Sequence, residues 1–222
     1  MNQNEVAIIS YLTLRRMIGI LGIALPIVLV IGGFIHDEIA IQPSISGYYY
    51  TNMRDFFIGI LCVVSIFLIS YKGYEKVDDQ VGNLSGLFAL GMVLFPTEMC
   101  NGFNSKVGIF MLDDDTSGYI HLTFGFLFFL TLSYNSIFLF TKRQPGHFSA
   151  SKRRRNFIYR LSGIVMIIAT LIITIYTLFL RNTLFDKIYP VLIFESVALL
   201  AFGVSWLVKG NTFFKDQKNH KG

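Results

Sequence analysis

Residues 17–36 read MIGILGIALPIVLVIGGFIH and contain no Asp, Glu, Lys or Arg. A helix needs about 20 apolar residues to cross a bilayer, so this stretch predicts a membrane-spanning helix. Five further segments of the chain are apolar and similar in length. The six predicted spans are 17–36, 55–72, 82–99, 119–141, 157–180 and 188–208. The predicted fold is therefore all-α: a polytopic membrane protein built as a six-transmembrane-helix bundle, with one integral membrane domain over residues 1–222.

The composition of the whole chain agrees with this fold class. Hydrophobic residues make up 53% of the chain and charged residues 15%, whereas soluble domains carry about 25% charged residues. The mean hydropathy is +0.56. The 22 Phe and 11 Tyr residues are typical of helices in lipid, where aromatic side chains collect at the membrane interfaces.

The distribution of basic residues predicts the orientation of the chain. If the N-terminus is cytoplasmic, fifteen of the 19 Lys and Arg residues fall on the cytoplasmic side of the six spans. This is the bias of the positive-inside rule, and it predicts cytoplasmic N- and C-termini. The run KRRR at 152–155 is interpreted as a topology determinant in contact with anionic lipid headgroups. Membrane lipids are therefore predicted partners, and nucleic acid is not.

The predicted outer side brings titratable side chains from five of the six spans to a similar depth. These residues are His36, Asp55, Glu98, His121 and Glu195. A charge inside a span is unfavourable by at least about 2.5 kcal/mol, and the sequence neighbours of Glu195 are uncharged. We therefore expect Glu195 to face the bundle interior, within direct or one-water reach of His121.

The stretch SISGYYYTNMRDFFIG at 44–59 contributes further polar groups on this side. Together these groups predict an outward-facing pocket that binds a lipid or another amphipathic small molecule. The tyrosines of the stretch would form its lid, and Arg54 would contact an anionic headgroup. The predicted pocket residues are His36, Ser46, Tyr48, Tyr49, Tyr50, Arg54, Asp55, Glu98, His121 and Glu195. Simpler roles stay open, because the tyrosines also suit an aromatic belt and Asp55 suits the first turn of a helix.

Two alternative functions follow from other groupings of residues. His36, Asp55, His121 and Glu195 are plausible ligands for a zinc-type divalent metal with an open position, as in a metal-dependent intramembrane hydrolase. Gly82 and Gly86 form a small-xxx-small step that allows close helix approach. If such faces join subunits, the protein is a homo-oligomeric pore or a membrane-perturbing effector. The sequence leaves open whether the protein is an enzyme.

The stretch 44–59, with YKGYE at 71–75 and NLSGLFALGMVLFPT at 83–97, resembles a family of small bacterial six-span membrane proteins of unknown function. It is also distantly similar to the DRAM-like superfamily. The resemblance is best over residues 15–140 and implies a six-helix bundle with no established reaction. Ser46, Asp55 and His121 also resemble the Ser-Asp-His metal site of the CREST hydrolases and receptors. This chain departs from that group in having six predicted spans instead of seven and no paired histidines on the last helix.

Overall fold

The computed structural model describes residues 3–35, 41–99, 106–142, 150–181 and 184–213. Helices dominate this part of the chain. The six α-helices found there are α1 (Gln3–Ile35), α2 (Arg54–Ser70), α3 (Lys76–Leu94), α4 (Asp114–Tyr134), α5 (Ala150–Ile175) and α6 (Pro190–Lys209). Helices α4 and α5 continue as π-helical turns at Asn135–Leu139 and Tyr176–Leu180. Short 3-10 helices occupy Ser46–Tyr50 and Leu184–Ile188, and β1 (Lys106–Val107) pairs antiparallel with β2 (Leu112–Asp113).

Four helical segments in the described part of the chain are long and apolar enough to cross a membrane. They are Tyr11–Ile35, Asp114–Leu139, Ala150–Leu180 and Pro190–Lys209. The prediction of an all-α chain is therefore confirmed, with four helices that could span a membrane, and the count of six spans stays a prediction. The sixth helix begins at Pro190 as its first residue, where the missing N–H of proline is harmless.

Helix α3 overlaps the third predicted span, 82–99, but begins and ends at other residues. Helix α3 begins six residues earlier, because Glu75 and Asp78 form a reciprocal capping box around its first turn, which satisfies two orphan N–H groups. It ends at Leu94 because Phe95 is extended, as expected for the residue before Pro96. The apolar pattern alone did not indicate either boundary.

The helices form a closed ring in chain order. Each packs on the next one, and α1 also packs on α6. Large side chains that are at most 2% exposed come from several helices and fill the ring. They include Leu29, Phe57, Leu68, Phe128, Leu132, Met166, Phe202 and Trp206. We call the end at which α2, α4 and α6 begin the outer end, after its predicted orientation, and the opposite end the inner end.

Glycines allow the closest approaches between neighbouring helices. A Cβ atom on Gly86 would lie 2.7 Å from the carbonyl oxygen of Ser65, and the Ser65 hydroxyl donates a hydrogen bond to the Gly86 carbonyl over 2.6 Å. Likewise, a Cβ on Gly19 in α1 would lie 2.8 Å from the Gly203 carbonyl in α6. The predicted close approach at Gly82 and Gly86 is confirmed, and it serves the contact of α3 with α2 inside one chain.

An ionic contact ties the inner end of α3 to the end of α4. The buried carboxylate of Asp78 accepts hydrogen bonds from the N–H groups of Tyr74 and Glu75 and lies 3.1 Å from Lys142 Nζ. Both oxygens of this carboxylate therefore have partners, since Oδ2 accepts the two N–H groups and Oδ1 faces Lys142.

The glycine contacts predict opposite effects of one substitution at two positions. Gly86→Ala should lower the free energy of unfolding by about 1–3 kcal/mol, because the new methyl group meets the Ser65 backbone. Gly59→Ala in α2 is the matched control, since a Cβ there has no atom within 4 Å, and it should be neutral or stabilising by up to about 1 kcal/mol. Thermal unfolding in detergent measures both changes. Equal behaviour of the two variants would contradict this packing.

Candidate functional site

The segment between α1 and α2 is fixed to the outer half of α6. The N–H of Leu192 donates a hydrogen bond to the Pro43 carbonyl over 2.9 Å. Leu192 is the third residue of α6, where the N–H groups have no partner within the helix. One turn further on, Glu195 Oε2 accepts the N–H of Ile45 over 2.6 Å. These two contacts hold residues 43–45 alongside α6.

Ser46 joins Glu195 to a buried histidine on α4. The Ser46 hydroxyl lies 3.3 Å from Glu195 Oε1 and 2.9 Å from His121 Nε2. Ser46 begins the 3-10 helix Ser46–Tyr50, and both Ser46 and His121 are buried. Glu195 and His121 were expected within direct or one-water reach of one another, and in the structure the Ser46 hydroxyl connects them.

The contacts of His121 determine its tautomer. Nδ1 lies 2.8 Å from the Phe95 carbonyl and 3.0 Å from the Met92 carbonyl. Carbonyl oxygens only accept hydrogen bonds, so Nδ1 carries the proton. The other ring nitrogen, Nε2, lies within hydrogen-bond distance of the Ser46 hydroxyl, which donates its own proton to Glu195 Oε1. His121 thereby also satisfies Met92, whose carbonyl lies in the last turn of α3 and lacks a helical partner.

A cleft of about 390 Å³ opens beside this network at the outer end. Its lining combines the aromatic Tyr49, the cationic Arg54 and an apolar wall. The wall residues are Val93, Leu94, Gly108 and Ile109. Tyr49 lies three residues after Ser46, and Val93 and Leu94 lie between the two carbonyls that bind His121. The cleft and the Ser46 network therefore share the same supporting elements.

Arg54 is held against Tyr49 by two contacts. Its Nη2 donates a hydrogen bond to the Tyr49 hydroxyl over 3.0 Å, and its Cζ lies 4.5 Å from the Tyr49 ring centroid. No carboxylate in the described residues lies within 4.0 Å of the guanidinium. Arg54 is exposed, so its remaining donors are available at the cleft.

The three tyrosines have different roles, and the stretch does not lie over the cleft as a lid. Tyr48 is 1% exposed and belongs to the core, and burial raises its pKa. Tyr49 is buried and forms part of the cleft wall. Tyr50 donates a hydrogen bond from its hydroxyl to the Thr97 carbonyl over 2.6 Å, which ties the 3-10 helix to the chain after α3.

Three other predicted site residues lie apart from this network. Asp55 is exposed in the first turn of α2, where its charge is favourable to the helix dipole. Glu98 forms an ion pair with Arg181, which connects the chain after α3 to the end of α5. His36 lies outside the described residues. Within the described part of the chain, no group of three His, Cys, Asp or Glu side chains is arranged to hold a metal ion, so the metal site that includes His36 stays a prediction.

The structure adds site features that the sequence analysis missed. The hairpin of β1 and β2 supplies Gly108 and Ile109 to the cleft. Gly108 has a φ of 69° and lies against Pro96. Asp114 accepts the N–H of Met99 with both carboxylate oxygens, and Ser117 donates to the Pro96 carbonyl over 2.7 Å. Ser117 lies in the first turn of α4, which begins at Asp114.

Comparisons of the chain with protein-family models, with curated proteins and with solved structures give no match. The resemblance to small bacterial six-span proteins and to the DRAM-like superfamily therefore stays a prediction.

The contacts of Glu195 predict how strongly it holds the segment before α2. Glu195→Ala should increase hydrogen exchange of the Ile45 amide, because it removes the acceptor and costs about 1–3 kcal/mol of local stability. Glu195→Gln keeps an acceptor oxygen and should show a smaller increase. Ser196→Ala is the matched control, since Ser196 bonds to the Leu192 carbonyl of its own helix. An unchanged exchange rate at Ile45 in Glu195→Ala would contradict the contact.

Proposed function

We propose that the protein is an integral bacterial inner-membrane protein in which all six helices cross the bilayer and the outer end binds an anionic amphipathic molecule. Helices α2 and α3 have 17 and 19 residues, or about 26 and 29 Å at 1.5 Å per residue. These lengths are close to the roughly 30 Å hydrocarbon core. Apolar side chains such as Phe56 and Ile66 on α2 are more than half exposed, as lipid-facing side chains would be.

The proposed orientation follows the charge distribution along the chain. The inner end carries Lys72, Lys142 and the run KRRR at 152–155, and α1 begins and α6 ends there. The outer end carries the acidic segment Asp113–Asp115. Under the positive-inside rule, the inner end is cytoplasmic, and the cleft beside Arg54 opens to the outside.

The observation that carries the binding proposal is the exposed Arg54 guanidinium, stacked on Tyr49 at one side of an apolar cleft. A guanidinium forms bidentate hydrogen bonds with phosphate or carboxylate oxygens. Stacking on Tyr49 fixes the direction of the planar group, so less entropy is lost when a ligand binds. An anionic headgroup at Arg54 would displace no carboxylate of the described residues.

The other cleft residues favour an acyl chain or another apolar tail on the same ligand. Val93, Leu94 and Ile109 present aliphatic side chains to the cleft. At the hairpin, Ile109 is 74% exposed, and Phe110 and Met111 are also exposed. Phe110 stacks on Phe95 with ring centroids 5.0 Å apart, which fixes the hairpin above α3. One cation beside a large apolar surface is the arrangement that an anionic amphipath requires.

A second candidate function is a hydrolase, which the linked side chains of Ser46, His121 and Glu195 favour. The Ser46 hydroxyl is within hydrogen-bond distance of a possible base, as nucleophilic catalysis requires. The metal-dependent form of this proposal needs a free imidazole nitrogen, but Nδ1 donates to carbonyls and Nε2 contacts Ser46. Metal analysis of the purified protein tests it: one zinc-type ion per chain that is lost in His121→Ala supports the hydrolase, and a metal-free chain contradicts its metal-dependent form.

The stacked cation predicts the effect of one charge change on ligand binding. Arg54→Gln should weaken binding of monododecyl phosphate to the protein in neutral detergent by about tenfold to a hundredfold, because a charge-assisted hydrogen bond contributes about 1.5–3 kcal/mol. Lys187→Gln is the matched control, since it removes one exposed cation from the outer end away from the cleft lining. Isothermal titration calorimetry measures both affinities.

The binding proposal also predicts a dependence on ligand charge. The zwitterionic dodecylphosphocholine should bind more weakly than monododecyl phosphate to the unmodified protein and should respond less to Arg54→Gln. Equal affinities of the unmodified protein and Arg54→Gln for monododecyl phosphate would contradict the role of Arg54.

A further inference from the structure

The inner end of the ring contains two cations that lie on aromatic rings. Arg15 Cζ lies 5.1 Å from the Tyr11 ring centroid and 5.4 Å from that of Tyr71. Lys209 Nζ lies 4.7 Å from the Phe140 ring centroid and 5.2 Å from that of Tyr74. Both cations are partly buried. Tyr11 belongs to α1, Tyr71 and Tyr74 belong to the α2–α3 connection, and Phe140 follows the π-helical turn after α4.

Trp206 connects these two cation sites. Its ring packs edge-on against Tyr71, at a centroid distance of 5.0 Å, and against Phe140, at 5.2 Å. Arg16 donates from Nε to the Gly210 carbonyl over 2.9 Å, which holds the start of the apolar part of α1 against the end of α6. Arg15 and Lys209 therefore belong to one aromatic cluster.

Two buried hydrogen-bond donors of the cluster have no acceptor among the described residues. In the part of the chain that the structure describes, Arg15 Nε and Trp206 Nε1 are buried and have no hydrogen-bond partner. Both groups only donate. Buried donors without an acceptor are rare in folded proteins and call for a specific explanation.

The nearby carboxylates are already engaged. Asp78 accepts two backbone N–H groups and pairs with Lys142, and Glu75 pairs with the same lysine. Asp79 accepts the N–H of Gly73 and pairs with Lys72. Among the described residues, no carboxylate lies within 4.0 Å of Arg15 or Lys209. Lys209 experiences the positive charge of Arg15, the opposite charge of Asp78 and, from α5, the further positive charges of Lys152 and Arg155.

We propose that Arg15 and Lys209 form a binding site for a phosphate group at the inner end of the ring. A guanidinium and an ammonium together match the several oxygens of a tetrahedral anion. The orphaned Arg15 Nε and Trp206 Nε1 supply donors to the same cluster. Arg15 precedes the apolar part of α1 and Lys209 ends α6, so the site lies at the depth of lipid headgroups. The phosphate belongs either to an anionic phospholipid or to a soluble phosphate compound.

Trp206 allows a direct test because it is the one tryptophan among the 222 residues. Its fluorescence is followed while the full chain in neutral detergent is titrated with dihexanoyl phosphatidylglycerol, dihexanoyl phosphatidylcholine or inorganic phosphate. We expect a saturable change with phosphatidylglycerol and little or no change with phosphatidylcholine. An equally strong saturable response to inorganic phosphate supports the site and identifies a soluble phosphate compound as its ligand. A response to no anion, or an equal response to both lipids, would overturn the proposal.

Charge variants connect the response to the two cations. Arg15→Gln and Lys209→Gln should each weaken the apparent affinity by about tenfold or more, as expected for the loss of a charge-assisted hydrogen bond. Lys209→Arg keeps the charge and should retain most of the affinity, which separates a loss of binding from a loss of folding. Arg160→Gln is the matched control, because Arg160 is an exposed cation on α5. Unchanged affinity in Arg15→Gln and Lys209→Gln, or an equal loss in Arg160→Gln, would overturn the proposal.

Discussion

The hydrogen bond from the Ile45 N–H to the Glu195 carboxylate is the contact on which the outer end depends. It satisfies a carboxylate within a helix that is otherwise apolar, and it fixes the chain between α1 and α2 against α6. Ser46 is the next residue, and its hydroxyl contacts His121 Nε2. Nδ1 of the same ring forms hydrogen bonds with two carbonyls at the end of α3. Through the loop between α1 and α2, this contact connects α6 with α4 and with the end of α3.

The cleft takes its shape from the same loop. Once Ser46 is fixed, the 3-10 helix places Tyr48 in the core and Tyr49 at the cleft, and Tyr49 then holds Arg54. The two ends of the ring differ in how their polar groups are satisfied. At the outer end, Glu195, Ser46 and His121 satisfy one another and nearby backbone groups. At the inner end, the cations Arg15 and Lys209 rest on ring faces and two buried donors lack an acceptor within the described residues.

The sequence predicted those parts of the structure that depend on local composition. Long apolar stretches were enough for α1, α4, α5 and α6, since few other environments accommodate such helices. The close approach at Gly86 followed from the spacing of small residues. The start of α3 at Lys76 was not predicted, because it depends on the Glu75–Asp78 capping box. The hairpin beside the cleft was missed because its strands have two residues each.

The sequence predicted only part of the candidate site and did not predict how its residues connect. A carboxylate in an apolar helix requires a partner, which is why Glu195 was singled out. Its shortest contact is with a backbone amide, and sequence patterns do not identify such partners. In the sequence, Arg15 counted only as one of the basic residues. Its contact with Tyr71 could not be predicted, because it forms only when the helix ring brings α1 next to the α2–α3 connection.

The most direct test of an outward-facing cleft is labelling of a cysteine at its rim in intact cells. Ile109→Cys, in a background without Cys62 and Cys100, should react with a membrane-impermeant maleimide added outside the inner membrane. Monododecyl phosphate should slow this labelling, and Arg54→Gln should remove the protection. Labelling that requires permeabilised membranes, or labelling that monododecyl phosphate does not slow, would contradict an outer cleft that binds anionic amphipaths.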